Sequence, residues 1–147
     1  LVREARYACQ SHRMTYDESI GVESLVSSIG DTLQQYTQNA GVRPFGVSMI
    51  VAGVDVTGPR LITTDPSGSY RGYKAAALGM NSEKAKELLE KKYKADISLD
   101  EAVTLAIEAV KTAYANSLKP ENINAAVIPT ETKTFNKLSD EEIAKLF

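Results

Sequence analysis

Few residues of the chain combine the types and spacing that catalysis requires. Cys9 and His12 lie three residues apart, so a helix would place both on one face, where a thiolate could pair with an imidazolium. Both also fall on the apolar stripe of that helix, a position more typical of a small buried cysteine beside a tethered histidine. Because the chain has one Cys and one His, we expect no disulfide and no metal site.

A second candidate is the hydroxyl–carboxylate cluster of Thr63, Thr64 and Asp65, which could support acid–base chemistry. An aspartate before a proline more often opens a turn, its carboxylate accepting local backbone N–H groups. An internal threonine also lacks the free α-amino group that activates an N-terminal threonine nucleophile. Neither a Gly-x-Ser-x-Gly elbow nor a glycine-rich phosphate loop is found. The sequence therefore predicts no catalytic, cofactor-binding or metal-binding residues.

Composition limits the class of protein. The 147 residues include 17 basic and 19 acidic side chains, a net charge of −2, and 43% hydrophobic residues, which predicts one domain over residues 1–147. The near balance of charge gives no electrostatic reason to expect nucleic acid or an anionic membrane as a partner. Apolar runs such as residues 49–54 are too short to span a bilayer. The single cysteine fits a reducing, cytoplasmic compartment.

Apolar spacing and capping signals predict five helices. The first helix has no start signal, because its apolar spacing begins at residue 1, so we expect a segment upstream of it. The second helix covers residues 22–40, with Gly41 as a left-handed C-terminal cap. A third begins at Asn81 or Ser82. Capping boxes, Ser98 with Glu101 and Ser139 with Glu142, begin the fourth and fifth helices.

Short β-branched runs predict five strands. Residues 47–54, 60–64 and 70–78 form an antiparallel meander, and residues 125–128 and 134–138 form a closing pair. Residues 47–54 are apolar at both alternating parities, which predicts a central strand covered on both faces. Helices arrive in pairs, so we expect an α+β fold with one antiparallel five-stranded sheet and a helical layer on one face. The other face would need a cover.

Several motifs occur along the chain in a fixed order. They are YTQ at 36–38, GVRPFGV at 41–47, AGVD at 52–55, GPRL at 58–61, TDPSG at 64–68, YKA at 73–75 and LSDEEI at 138–143. Together they resemble the α-type subunit of the proteasome core particle, most closely its archaeal form. The resemblance extends over essentially the whole chain.

The resemblance implies a fold and a role. The family's fold is a four-layer αββα sandwich of the N-terminal nucleophile hydrolase type, whose second sheet is largely missing from this chain, together with the gate segment and the activator-pocket lysine. The α subunit is not an enzyme on its own; it is the non-catalytic structural and gating subunit of a threonine-type endopeptidase complex. It forms the seven-membered outer ring that controls substrate access in intracellular protein degradation. The implied partners are neighbouring α subunits, β subunits and a regulatory ATPase or activator, with no cofactor.

Two segments are candidates for the contacts that such a role needs. The candidate ring and gate contacts are Tyr36, Thr37, Gln38, Arg43, Pro44 and Phe45. The alternative is that these residues only connect a helix to a strand. The second candidate, formed by Asp65, Pro66, Ser67 and Gly68, is either a structural turn or an interface. For the whole chain, the alternatives are a catalytic N-terminal nucleophile hydrolase whose nucleophile lies upstream, and a stand-alone binding module.

Overall fold

The computed structural model describes residues 1–115 and 117–147. Their contacts group into two compact units, Leu1–Lys74 and Ala75–Phe147, and each is described by itself. The single domain expected over residues 1–147 therefore stays a prediction. In the described part of the chain, no helix has the length and apolar character needed to cross a membrane.

The first unit begins with two helices, α1 (Val2–Tyr16) and α2 (Val22–Gln38). On α1 the predicted face is only half-buried at Ala5, Cys9 and His12, and Val2 is exposed. On α2 the predicted stripe is buried over most of its length. Its buried residues are Val22, Val26, Ile29, Gly30 and Leu33.

A three-stranded antiparallel meander follows, as predicted: β1 (Met49–Asp55), β2 (Gly58–Thr64) and β3 (Tyr70–Gly72). The strand order is β1-β2-β3, with Met49 opposite Thr64 and Thr64 opposite Tyr70. The prediction that residues 47–54 form the central strand is wrong, because β2 occupies the centre and β1 an edge. The third strand is also shorter than the predicted range of 70–78.

Helix α2 packs on one face of this sheet. Val22 and Val26 contact Ile62, and Val51 packs against the same cluster. The residues of opposite parity on β1 lie on the other face, where Ile50 is 41% exposed and Ala52 is exposed. The two parities of β1 therefore lie in two different environments, one packed under a helix and the other exposed.

The second unit contains α3 (Ser82–Lys92), α4 (Leu99–Ala113), a 3₁₀ turn (Pro120–Asn122), β4 (Ala126–Val127), β5 (Asn136–Lys137) and α5 (Asp140–Lys145). Both predicted capping boxes are present, at the starts of α4 and α5. The β4–β5 pair is antiparallel, as predicted, but it forms a sheet of its own. The prediction of one five-stranded sheet is therefore wrong.

Helix α4 packs against other elements of its unit on two different sides. Ala109 and Ala113 pack against Ala85 of α3, whereas Ile107 packs with Ile123 and Ile143. The apolar side chains of α4 therefore do not form one buried stripe, since Leu99 and Val110 of the helix and Tyr114 at its cap are exposed. A helix contacted on two sides divides its apolar surface, and one period of 3.6 residues does not describe it.

Candidate functional site

The first candidate segment lies where α2 ends. Tyr36, Thr37 and Gln38 form the last turn of the helix, and all three are exposed. The Thr37 hydroxyl donates to the carbonyl oxygen of Gln34 at 2.6 Å, a local bond back to the preceding turn of the helix. The cap residue is Asn39, whose N–H donates to the Gln35 carbonyl at 3.2 Å.

Gly41 adopts the left-handed conformation predicted for it, with φ of +93°, but it stands two residues beyond the cap. The helix therefore ends at Gln38 and not at residue 40. An N–H···O bond from Val42 to Asn39, at 3.4 Å, closes the turn that follows. Residues 43–48 then run without regular structure to β1.

An aromatic pair joins the two sides of this connection. The rings of Tyr36 and Phe45 have their centroids 4.6 Å apart and are inclined by 55°, a tilted geometry that aromatic quadrupoles favour. Phe45 is half-buried and Tyr36 is 37% exposed. The sequence placed both residues in one candidate segment, and the structure brings them into contact.

Arg43 and Pro44 lie between the aromatic residues, and both are exposed. Within residues 1–115 and 117–147, the Arg43 guanidinium makes no hydrogen bond or ion pair. Its five N–H donors in a planar fork are therefore available to a carboxylate or carbonyl outside the described chain. We call the six residues Tyr36, Thr37, Gln38, Arg43, Pro44 and Phe45 the assembly edge.

The second candidate, the four residues Asp65, Pro66, Ser67 and Gly68, is called the Asp65 turn. It joins β2 to β3, and Gly68 donates its N–H to the Asp65 carbonyl at 3.1 Å. The Asp65 carboxylate accepts from the Ser67 hydroxyl and, at 2.8 Å, from the Ser67 N–H. These bonds, the hydroxyl's first, lower the pKa of Asp65. The turn geometry predicted from sequence is thus present, and Oδ1 of Asp65 is the carboxylate oxygen that accepts both bonds from Ser67.

Sequence reasoning missed the part played by Asp55, which entered it only as the last residue of the AGVD motif. Helix α2 has Gly21 as its N-terminal cap residue, which supplies no side-chain acceptor. Asp55, at the end of β1, takes that place, because its Oδ2 accepts from the Val22 N–H at 3.0 Å. Its Oδ1 accepts from the Thr57 hydroxyl and N–H. The Thr57 hydroxyl, followed by the Val22 N–H, lowers the pKa of Asp55.

The catalytic candidates considered from sequence have ordinary surroundings. His12 lies 3.6 Å from the Glu18 carboxylate and contacts the Tyr16 ring, and Cys9 is half-buried. The Thr64 side chain is 2% exposed, and its hydroxyl has no hydrogen-bond partner among the described residues. Thr64 faces α2 with Ile62, while Asp65 is engaged in its own turn. The three residues of the hydroxyl–carboxylate cluster therefore do not converge on a common point.

A charged surface cleft of about 480 Å³ lies in the second unit, between the end of α3 and the first turns of α4. Both lysines and carboxylates line it, and the Lys92 ammonium is paired with Glu108. Glu101 is engaged in the capping box of α4. In the part of the chain that the structure describes, no group of three or more His, Cys, Asp or Glu side chains could hold a metal ion.

Comparison with known proteins gives one consistent result. The family model described as proteasome subunit matches residues 1–128. "Proteasome subunit alpha" of Methanocaldococcus jannaschii is 47% identical over 146 residues, which are 99% of this chain and 56% of that protein. The Archaeoglobus fulgidus protein of the same name is 45% identical, over 97% of this chain and 58% of its own length.

A plant protein gives a similar match. "Proteasome subunit alpha type-2" of Oryza sativa subsp. indica is 43% identical over 143 residues, or 97% of this chain and 60% of that protein. The chain thus spans somewhat more than half the length of these curated relatives.

Proposed function

Because this chain belongs to the proteasome subunit family, we propose that it acts as a non-catalytic structural and gating subunit of the proteasome core particle. Its place would be the heptameric outer ring, which controls the access of substrates to the proteolytic chamber. The observation that carries the proposal is the 47% identity, over 99% of this chain, to a protein named as an α subunit. The same likeness favours this role over that of a catalytic N-terminal nucleophile hydrolase.

The proposed partners are neighbouring α subunits, the β subunits of the core particle and an activator or regulatory ATPase on the outer face, all in the cytoplasm. The fold proposed for the complete subunit is the four-layer αββα sandwich. Support for it comes from the first unit, in which α2 covers one face of the sheet while Ile50 and Ala52 of the other face are exposed. A second sheet packed there would bury this apolar surface.

We propose the assembly edge as a ring contact. The aromatic side chains of Tyr36 and Phe45 contact each other across the connection that carries Arg43. The Arg43 donors are unused within the described residues. A stiffened segment loses little backbone entropy on binding, and the planar guanidinium fork loses less side-chain entropy per hydrogen bond than a flexible ammonium does. The Asp65 turn, in which Oδ1 of Asp65 accepts two bonds from Ser67, is proposed to be structural.

The test compares ring formation by Arg43 variants of the full-length subunit in native mass spectrometry. We expect Arg43→Ala to reduce the ring population while the melting temperature stays unchanged, and Arg43→Lys to be intermediate because it keeps the charge without the fork. Arg71→Ala is the matched control, since Arg71 is exposed in the same unit and makes no bond within the described chain. Intact rings in Arg43→Ala would remove Arg43 from the interface.

A second experiment addresses catalysis. The alternative hydrolase would have its nucleophile upstream of this chain, so the assay uses the purified full-length subunit. We expect the subunit alone to hydrolyse no fluorogenic peptide, with a proteasome inhibitor as the control. Inhibitor-sensitive turnover by the subunit alone would contradict the non-catalytic role and favour the hydrolase.

A further inference from the structure

We propose that the Asp65 turn is a positioning element for the assembly edge: it fixes α2 on the sheet, and α2 in turn sets the place of Tyr36. This inference rests on the ring contact proposed above. It gives the turn a defined role that acts through the helix and needs no contact between the turn and a neighbouring subunit.

The turn and the helix meet at two glycines. A Cβ added to Gly30 of α2 would lie 2.8 Å from the Gly68 carbonyl oxygen, and one added to Gly68 would lie 2.5 Å from the Gly30 carbonyl oxygen. The obstructing atoms belong to backbone on both sides, so they cannot move aside as the tip of a side chain could. Any larger residue at either position would therefore push the helix and the turn apart.

The turn itself is held in one conformation. Its Asp65 N–H donates to the Ser69 carbonyl at 3.0 Å, in addition to the carboxylate bonds with Ser67. Gly68 has φ of +89°, a conformation that an L side chain rarely adopts. Because these bonds hold the turn in one conformation, the turn limits how closely α2 can approach it.

A second attachment lies at the start of the helix. There the Asp55 carboxylate holds the Val22 N–H, and the Val22 side chain fills the space beside Gly53. At a rise of 1.5 Å per residue, Val22 and Gly30 are about 12 Å apart along the axis, and Tyr36 lies about 9 Å beyond Gly30. The assembly edge therefore begins at Tyr36, three residues beyond Leu33, the last buried residue of the helix.

The geometry gives the size of the effect. A Cβ on Gly30 would lie 2.8 Å from the Gly68 carbonyl oxygen, which is about 0.6 Å closer than the 3.4 Å at which ordinary contact begins. If α2 pivots as a rigid rod at Val22, a shift of that size at Gly30 grows to about 1 Å at Tyr36. Such a displacement would disturb the Tyr36–Phe45 contact and the close packing that an interface requires.

The experiment compares Gly30→Ala with Gly72→Ala in the full-length subunit. The control glycine is in the same unit and has no atom within 4 Å of an added Cβ. Hydrogen exchange of peptides covering residues 36–45 is the main readout, because alanine also raises helix propensity and a melting temperature alone would mix the two effects. Ring formation is measured in parallel.

We expect Gly30→Ala to accelerate exchange across residues 36–45 and to lower the ring population, whereas Gly72→Ala does neither. If Gly30→Ala does not fold, Asp65→Ala replaces it, since it removes the carboxylate bonds of the turn without adding a clash. Unchanged exchange at residues 36–45 in the folded variant would overturn the inference. Exchange that changes while the wild-type protein forms no rings would support the positioning role and refute only the proposed function.

Discussion

Replacing Asp55 by alanine tests whether a side chain from β1 begins helix α2. The substitution removes the acceptor of the Val22 N–H, 33 residues away along the chain, and both bonds from Thr57. No side chain at Gly21 can take over, because glycine supplies no acceptor. The helix would then begin with its first N–H groups bonded to water alone.

The expected loss follows from the type of contact. Removing an N-terminal cap acceptor costs about 1 kcal/mol, within a range of about 0.5–2 kcal/mol. The Thr57 bonds are exposed, so water replaces them and they add little. We therefore expect Asp55→Ala to lower the free energy of unfolding by about 1–1.5 kcal/mol. Asp55→Asn keeps an acceptor and should lose only the charge–dipole part, about 0.3–1 kcal/mol.

Urea unfolding followed by far-UV circular dichroism measures these differences at pH 7. Asp96→Ala is the control, since Asp96 is an exposed loop aspartate without a bond to any described residue; it should change the unfolding free energy by less than about 0.5 kcal/mol. A loss in Asp55→Ala no larger than in Asp96→Ala would refute the capping role.

The pH dependence gives an independent check. The Thr57 hydroxyl and the Val22 N–H lower the pKa of Asp55 in the folded state. A carboxylate with a lowered pKa contributes stability above its unfolded value, near about 3.9, and loses it as the pH falls through the folded value. The difference between the wild type and Asp55→Ala should therefore shrink below about pH 4. A difference that stays constant down to the acid transition would contradict the charged cap.

Three further predictions address the core, a capping box and the open sheet face. Thr64→Val should raise the melting temperature, because it removes a buried hydroxyl without a partner among the described residues. Thr63→Val, on the opposite face of the sheet, should raise the melting temperature by less. Ser98→Ala should cost about 1 kcal/mol in urea unfolding by removing the cap of α4, and an unchanged midpoint would contradict this. Residues 1–147 expressed alone should self-associate and bind a hydrophobic dye through the face that carries Ile50. A compact, dye-silent monomer in analytical ultracentrifugation would count against it.

Features set by neighbouring residues could be predicted from sequence. The two capping boxes depend on side chains three residues apart, and both have the bonds that the pattern requires. The meander follows in the same way from short apolar runs separated by turn residues. In the candidate site, the Asp65 turn has the predicted geometry for the same local reason.

Contacts between distant residues could not be predicted in this way. The Asp55–Val22 bond and the Gly30–Gly68 approach join positions more than 30 residues apart. In the sequence, an aspartate or a glycine at these positions looks the same as any other turn residue. The lack of a capping side chain at Gly21 was a usable signal, because a helix that begins at a buried residue such as Val22 requires an acceptor from elsewhere in the protein.

The misplacement of β1 has a more general physical cause. Apolar residues at both parities show that both faces of a strand avoid water, but parity says nothing about whether a second strand lies beside each edge. In β1 one parity packs under α2 through Val51, whereas Ile50 of the other parity remains 41% exposed. The pattern therefore indicates a cover for each face of the strand and leaves its place in the sheet open. In the subunit that we propose, the second cover is another sheet, and the apolar character of Ile50 is a requirement of the assembled fold.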